Sequence, residues 1–365
     1  MVYGLEGVVA AETVLSDVDG QAGRLIIRGR SLDELAGGSR YEDVLALLWA
    51  ELISECPDAR TLAAGLGAAR VRVFHHVRAL DEPLLALPTF DTALSLLTRI
   101  EDGDDLTTAL NLLAAPAVFT PAAIRLRRGL DPVPPDPKLA HAADLLRMLR
   151  GTQPHAAQVS ALDRYLVTAS DHGLNASTFT ARVIASTHAG LAAAVIGASC
   201  ALKGPLHGGA PGPILDMLDA IGHPDRARAW LEAALSRGER LMGFGHRVYR
   251  VRDPRADALK VALQLLAQTG QLDVERLRLA EAVEGAALEL LARRKPERRL
   301  QTNLEFYTAL LLEALGFPRD AFTCVFAASR AGGWIAHARE QILRGRLIRP
   351  QSRYVGPRAE AVVSR

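Results

Sequence analysis

Apolar residues recur at i, i+3, i+4 and i+7 along most of this chain, the spacing that lines them up on one face of an α-helix. YEDVLALLWAEL, FDTALSLLTRI, LAHAADLLRMLRG, RARAWLEAALSRG, DALKVALQLLAQTG and VERLRLAEAVEGAALELLARRK all carry it. Breaks fall at Gly and Pro. The strongest is DPVPPDPK, residues 131–138, where fixed φ angles and missing N–H donors exclude a helix and predict a surface connection. The first 30 residues read differently. VVAAETV and RLIIRG predict two strands of a hairpin, with SDVDGQAG between them and Asp17, Asp19 and Gly20 supplying the turn. SLDELAGG then opens a helix, with Ser31 as N-cap and Glu34 closing a capping box. The expected fold class is mainly α with one small N-terminal β-hairpin.

Composition narrows the function classes. At 365 residues the chain is long enough for a large core and two domains in close contact. A net charge of +2 argues against a protein devoted to nucleic acid. Three cysteines, Cys56, Cys200 and Cys324, are odd in number and far apart, which predicts free thiols in a reducing compartment. None of the ten histidines pairs at HxH or HxxxH spacing, so no metal site is expected. The N-terminus lacks a basic segment followed by a long apolar run, so no signal peptide is read there. The apolar stretch Ala189–Leu202 falls well short of the roughly 20 residues that span a bilayer and reads as a core helix. Expectation therefore favours the cytoplasm, with no membrane and no nucleic acid as partners.

Two glycine-rich segments do not look like ordinary helix connections: KGPLHGGAPGP, 203–213, and GFGHRVYRVRDPRA, 243–256. Each sets one histidine, His207 or His246, among glycines whose backbone a ligand can approach closely. His172 lies in SDHGLNASTF, Glu305 in QTNLEFYTAL, Arg330 in AASRAGGW and Arg349 in LIRPQSRYVG. Each has a plain reading alone: a turn histidine, a first-turn glutamate, a solvated arginine. Together they describe one chemistry. Arginines bind carboxylates through bidentate forks, histidines donate to a carbonyl or enolate oxygen, and a carboxylate in an apolar setting takes a proton from carbon.

LEGVVAAETVLSDVDGQAGRLIIRG, DHGLNASTFTARVIAST, ALKGPLHGGA, MGFGHRVYRVRDPRA, TNLEFYTALLLEALGFP and RPQSRYVGP resemble the citrate synthase family, in its order and at its spacing. Residues 55–150 fit by helical pattern and by MLRG with its flanks. The resemblance implies a two-domain helical fold: a large domain of residues 1–206 and 310–365, and a small domain of 207–309 closing over the site. It implies condensation of acetyl-CoA with oxaloacetate and water to citrate and CoA, with propionyl-CoA (2-methylcitrate synthase) or a non-catalytic CoA- and dicarboxylate-binding relative as alternatives. His207 would hold the thioester oxygen, His246 would polarise the ketone, and Glu305 would be the base. His172, Arg255, Arg330 and Arg349 would bind the 2-oxo acid, Arg349 reaching across a homodimer into the partner's site. The backbone of Leu241, Met242, Gly243, Phe244 and Gly245 would meet the adenine of CoA, with Arg250 on a phosphate. No metal or redox cofactor is implied; the thioester is itself a substrate. One position departs from the pattern: the family's base is usually Asp, and NLE puts Glu305 there. Asp253, just before Pro254, reads as a helix cap or as a group orienting the preceding arginines.

Overall fold

The computed structural model describes residues 3–5, 7–53, 56–208 and 211–357; Gly209 and Ala210 of the first glycine-rich segment lie outside these. The sheet is a three-stranded antiparallel meander of β1 (Ser16–Asp19), β2 (Arg24–Ile27) and β3 (Arg30–Ser31). Ser16 pairs with Ile27 and Asp19 with Arg24. This corrects the expected first strand. VVAAETV is apolar but does not alternate, takes no strand partner, and leaves Val8 and Val9 exposed. Asp17 is accordingly strand rather than turn. Asp19 does build the turn, its Oδ1 accepting the N–H groups of Gln21 (3.0 Å) and Ala22 (2.9 Å).

Ser31 caps α1 (Leu32–Gly38), its hydroxyl accepting the Glu34 N–H. Glu34 does not close the box, because its carboxylate is held by Arg30. The helices that follow are α2 (Tyr41–Trp49), α3 (Ala59–Phe74), α4 (Glu82–Leu85), α5 (Thr89–Leu97), α6 (Leu106–Arg127), α7 (His141–Arg150) and α8 (Ala156–Ala169). Next come α9 (Ala176–Ala185), α10 (Leu191–Leu202), α11 (Gly212–Ile221) and α12 (Ala227–Ser236). The last are α13 (Pro254–Gln268), α14 (Val274–Arg294), α15 (Leu304–Ala314) and α16 (Phe322–Arg344). Residues 131–138 are irregular, as the prolines require, and are tied down by Arg70 and Arg147, which bond the carbonyls of Asp136 and Pro134.

Two helices form the centre. By length and composition α6 could cross a membrane, but 83% of its most apolar window is buried inside the protein, which makes it the core helix of this fold. The other is α16, buried from Cys324 to Gln341. Its small residues allow close approach. A Cβ on Gly332 would fall 2.3 Å from Leu45, and one on Gly333 only 2.4 Å from the Ser170 carbonyl. Trp49 Nε1 and Tyr41 Oη bond the carbonyls of Gly332 and Ser329, fixing α16 against α2. The same helix thereby presses on the end of α8, where Ser329 Oγ bonds Leu166 and Arg330 Nε bonds the Ala169 carbonyl at 2.6 Å. That contact sets the floor of the site.

Candidate active site

Four segments converge: the turn between α8 and α9, the first glycine-rich loop, the loop from α12 to α13, and the N-terminus of α15. In the first, Asn175 caps α9 by accepting the Thr178 N–H, and His172 sits buried just before it. Its Nε2 lies 3.1 Å from Tyr249 Oη, and its ring stands edge-on to His246 at 5.5 Å between centroids. Ser177, in the first turn of α9, places its hydroxyl 2.8 Å from His207 Nε2 and also accepts from Trp334 Nε1. Ser177 has one proton to give and two neighbours that can take it, Asn175 Oδ1 and His207 Nε2.

The loop carrying His246 is stitched to the strand-like stretch before α15. Gly245 N–H bonds Gln301 O (2.7 Å), Asn303 N–H bonds Gly243 O (3.0 Å), and Asn303 Nδ2 bonds Gly245 O (2.9 Å). Gly243, at φ +88°, is required: a Cβ there would lie 2.7 Å from the Phe306 ring. His246 Nδ1 accepts the N–H groups of Val248 (3.1 Å) and Tyr249 (3.0 Å). With Nδ1 taken up as an acceptor, a neutral ring carries its proton on Nε2, which lies 3.2 Å from Arg255 Nη2; both groups are then donors, and a substrate oxygen set between them would accept from each.

Asp253 joins these parts. It caps α13, grips Arg255 through Nε (3.0 Å) and Nη2 (2.8 Å), and accepts the Leu304 N–H at the start of α15. The capping expectation holds, but the arginine it orients is the following one. The preceding Arg252 goes instead to Asp257 and Glu284. Glu284 also accepts from Thr302 Oγ1 (2.7 Å), Tyr307 Oη (2.6 Å) and Lys260 Nζ (3.1 Å), so it fastens α14 beneath the same stretch. Burial disfavours its charge, but these donors outweigh it and bring the carboxyl down to about 2.

Glu305 occupies the first turn of α15. Its Oε2 is buried and takes no hydrogen bond. Burial raises its pKa, with Arg255 holding the rise back. His207 and His246 are pushed down to about 4, chiefly by burial, with Arg330 adding to the shift at His207 and Arg255 at His246. His172 is held well below its usual value by burial and by Arg255. All three are neutral at pH 7. Arg255 is buried at a cost to its charge, but Asp253 more than offsets this. Arg330 lies over the Phe326 ring at 5.1 Å, and burial lowers it to about 10. Arg255 and Arg330 both act on His172, His207 and Glu305, so these five form one electrostatic cluster.

Of the expected residues, His172, His207, His246, Arg255, Glu305 and Arg330 are brought together. Arg349 is not: it lies exposed on the tail beyond α16, apart from the cluster of its own chain. Leu241 and Met242 line a cleft of about 260 Å³ with Met217 and Trp230, while Phe244 packs on Phe306. Arg250 is exposed, its backbone N–H bonded to Gly20 O. The sequence reading passed over Ser177, Tyr249 and Asn303, which are visible only as neighbours of quoted motifs. It also passed over Tyr165, whose buried hydroxyl is unpartnered and near Arg330, Glu305 and Arg255. Cys56, Cys200 and Cys324 are all free.

Residues 4–351 match the family model "Citrate synthase, C-terminal domain". The citrate synthase of Haloferax volcanii is 40% identical over 97% of this chain and 95% of its own length. A 2-methylcitrate synthase of Mycobacterium tuberculosis is 37% identical over 97% and 90%. Among solved structures, the citrate synthase of Thermotoga maritima superposes with a TM-score of 0.84 at 32% identity, over 100% of this chain and 98% of that one. A ternary complex of carboxymethyl coenzyme A and oxaloacetate with the citrate synthase of Thermoplasma acidophilum gives 0.84 at 26% identity, over 99% and 97%. With its mainly helical fold, its short N-terminal sheet and this cluster, the chain belongs to the citrate synthase family and is an acyltransferase of that type.

Proposed function

We propose that this protein condenses acetyl-CoA with oxaloacetate and water, giving citrate and CoA. The observation that carries the proposal is Glu305: a carboxylate oxygen buried without a partner, among neutral histidines and two buried arginines. Buried carboxylate oxygens are mostly paired, and one left open beside a cluster of histidines and arginines is placed to take a proton. In the proposed sequence Glu305 removes a methyl proton from the thioester. His207 donates to the thioester oxygen and stabilises the enol. It can do so from Nδ1 if Ser177 gives its proton to Nε2. His246 Nε2–H polarises the ketone carbon that the enol attacks. His172, Arg255 and Arg330 take the carboxylates, with Arg349 of the partner subunit completing the set in a homodimer. Water then cleaves the citryl thioester.

In this reading residues 207–309 form the small domain that closes over the substrates, excluding water until the carbon–carbon bond is made. The segment Leu241–Gly245 receives CoA, Arg250 meets a phosphate, and the work is done in the cytoplasm without a metal or prosthetic group. The Thermoplasma complex, which holds a CoA analogue together with oxaloacetate, supports this pair of substrates. The 2-methylcitrate synthase relative keeps propionyl-CoA as the second candidate. Release of free CoA thiol, measured with oxaloacetate and either acyl-CoA, tests the proposal. Faster release with acetyl-CoA is expected. Faster release with propionyl-CoA would reassign the substrate, and binding without turnover would mark a non-catalytic relative.

A further inference from the structure

The N-terminal hairpin touches two of the three histidine-bearing segments of the cluster, those of His172 and His246. On one side, Ser16 Oγ donates to Asp171 Oδ2 and accepts the Gly173 N–H at 3.0 Å, gripping the residues on either side of His172. On the other, Gly20 O accepts the Arg250 N–H at 2.8 Å. A Cβ on Gly20 would stand 2.3 Å from the Val248 carbonyl oxygen and 2.8 Å from its carbon. Gly23 is also close, with a Cβ 2.7 Å from the Val251 side chain. The base of the hairpin is anchored elsewhere. Arg28 bonds the carbonyls of Leu47 and Ala50 at the end of α2, and the Val14 N–H bonds Glu340 of α16. Beneath it, Asp171 also accepts from His337 of α16.

We infer that this hairpin is a strap that sets the spacing of His172 and His246, so that Ser16 and Gly20 are positioning residues for the 2-oxo acid subsite. The coupling is short. The Val248 N–H is one of the two donors that orient His246 Nδ1, so anything that pushes Val248 turns the imidazole meant to polarise the ketone. Before His246 the loop is held by its bonds to Gln301 and Asn303; after it, at Val248 and Arg250, the loop leans on the hairpin for its rigidity. The strap supplies it from the core, without contact to substrate. The inference rests on the proposed reading of His172 and His246 as groups that hold oxaloacetate.

Two variants test it in the full-length enzyme. Ser16→Ala removes one hydroxyl and adds nothing. Gly20→Ala adds one methyl at a position whose φ lies outside the left-handed region, so its effect is the clash with Val248. That clash needs a shift of about 1 Å, a displacement that can cost on the order of 100-fold in rate. The KM for oxaloacetate is expected to rise by roughly 10-fold or more in each variant. The KM for acetyl-CoA at saturating oxaloacetate should move by less than about 2-fold, a split that general loosening of the fold does not produce. Both KM values moving together, or neither moving, overturns the strap. Calorimetric binding of oxaloacetate alone separates this from the broader reading. If the wild type binds oxaloacetate but turns over no acyl-CoA, the proposed reaction fails, while the strap stands if both variants bind more weakly. Unchanged binding in both variants sinks the strap and leaves the reaction intact. A wild type that does not bind oxaloacetate removes both.

Discussion

Replacing Glu305 by Gln separates a catalytic carboxylate from a structural one, because the two roles predict opposite effects on stability. Gln keeps the size of Glu and removes the base. Positioned general bases contribute about 10²–10⁴ in rate, so turnover should fall by that factor, equivalent to roughly 3–5 kcal/mol of barrier. Burial raises the Glu305 carboxyl in the folded state, so the folded protein binds that proton more tightly than the unfolded chain. Stability is therefore fullest below the ordinary carboxylate value and is lost as pH rises from there through the raised folded value, above which the native state holds this charge at a cost. Glu305→Gln abolishes that cost. Its amide pays a smaller one, on the order of 1–3 kcal/mol, if the buried Oε2 position stays unpartnered. The variant should thus melt at or above the wild-type temperature at pH 7 while losing nearly all CoA release. It should also lose exchange of acetyl-CoA methyl protons into deuterated water, measured by NMR with a non-reacting dicarboxylate in the oxaloacetate site. Turnover within a few-fold of wild type, or a melting point several degrees lower, would show that Glu305 is not the base.

Glu305→Asp draws the carboxylate back by about one C–C bond, roughly 1.5 Å. The variant should still turn over, as seen in steady-state CoA release, and a complete loss would mean the longer side chain is needed for reach. His246→Ala removes the donor whose orientation the loop amides fix and should lower kcat by roughly 10²–10³ with the circular dichroism spectrum unchanged. Mixing inactive His246→Ala and Arg349→Ala subunits should restore activity, since in a shared-site heterodimer one site carries both lesions and the other none; no recovery would place Arg349 outside the site. Glu284 titrates near 2 when folded and near 4.5 when unfolded, so its stabilisation, about 3 kcal/mol, is complete above pH 4.5 and lost as pH falls toward 2. Glu284→Gln should therefore flatten the fall in melting temperature over that acid range, and an unchanged slope would remove Glu284 from the acid response.

The helical pattern was enough for the fold class, because amphipathic periodicity is written directly in α2, α5, α7 and α12–α14. The hairpin was legible in kind but not in register. VVAAETV is apolar because the segment is rich in Val and Ala, whereas the pairing is decided by the turn that Asp19 and Gly23 permit. Site residues embedded in long motifs were legible for the same reason that they cluster: glycine must flank His246 for its loop to pair with Gln301–Asn303. What supports them was not. Ser177 under His207, Asp253 between two helix starts, and Glu284 beneath Thr302 and Tyr307 act across distances in sequence of up to 51 residues, which no local pattern records. Arg349 was legible as a motif, but its exposed place on the tail beyond α16 was not.

The step that defines the proposed reaction is formation of a carbon–carbon bond between the acyl methyl carbon and the ketone of oxaloacetate. Incubating the protein with oxaloacetate and acetyl-CoA carrying ¹³C in the methyl group, and reading the product by NMR, tests it directly. The label is expected in a methylene carbon of citrate, one equivalent per CoA thiol released, with neither appearing when oxaloacetate is left out. Label recovered as free acetate with the same thiol release, or label left in intact acetyl-CoA, would contradict it.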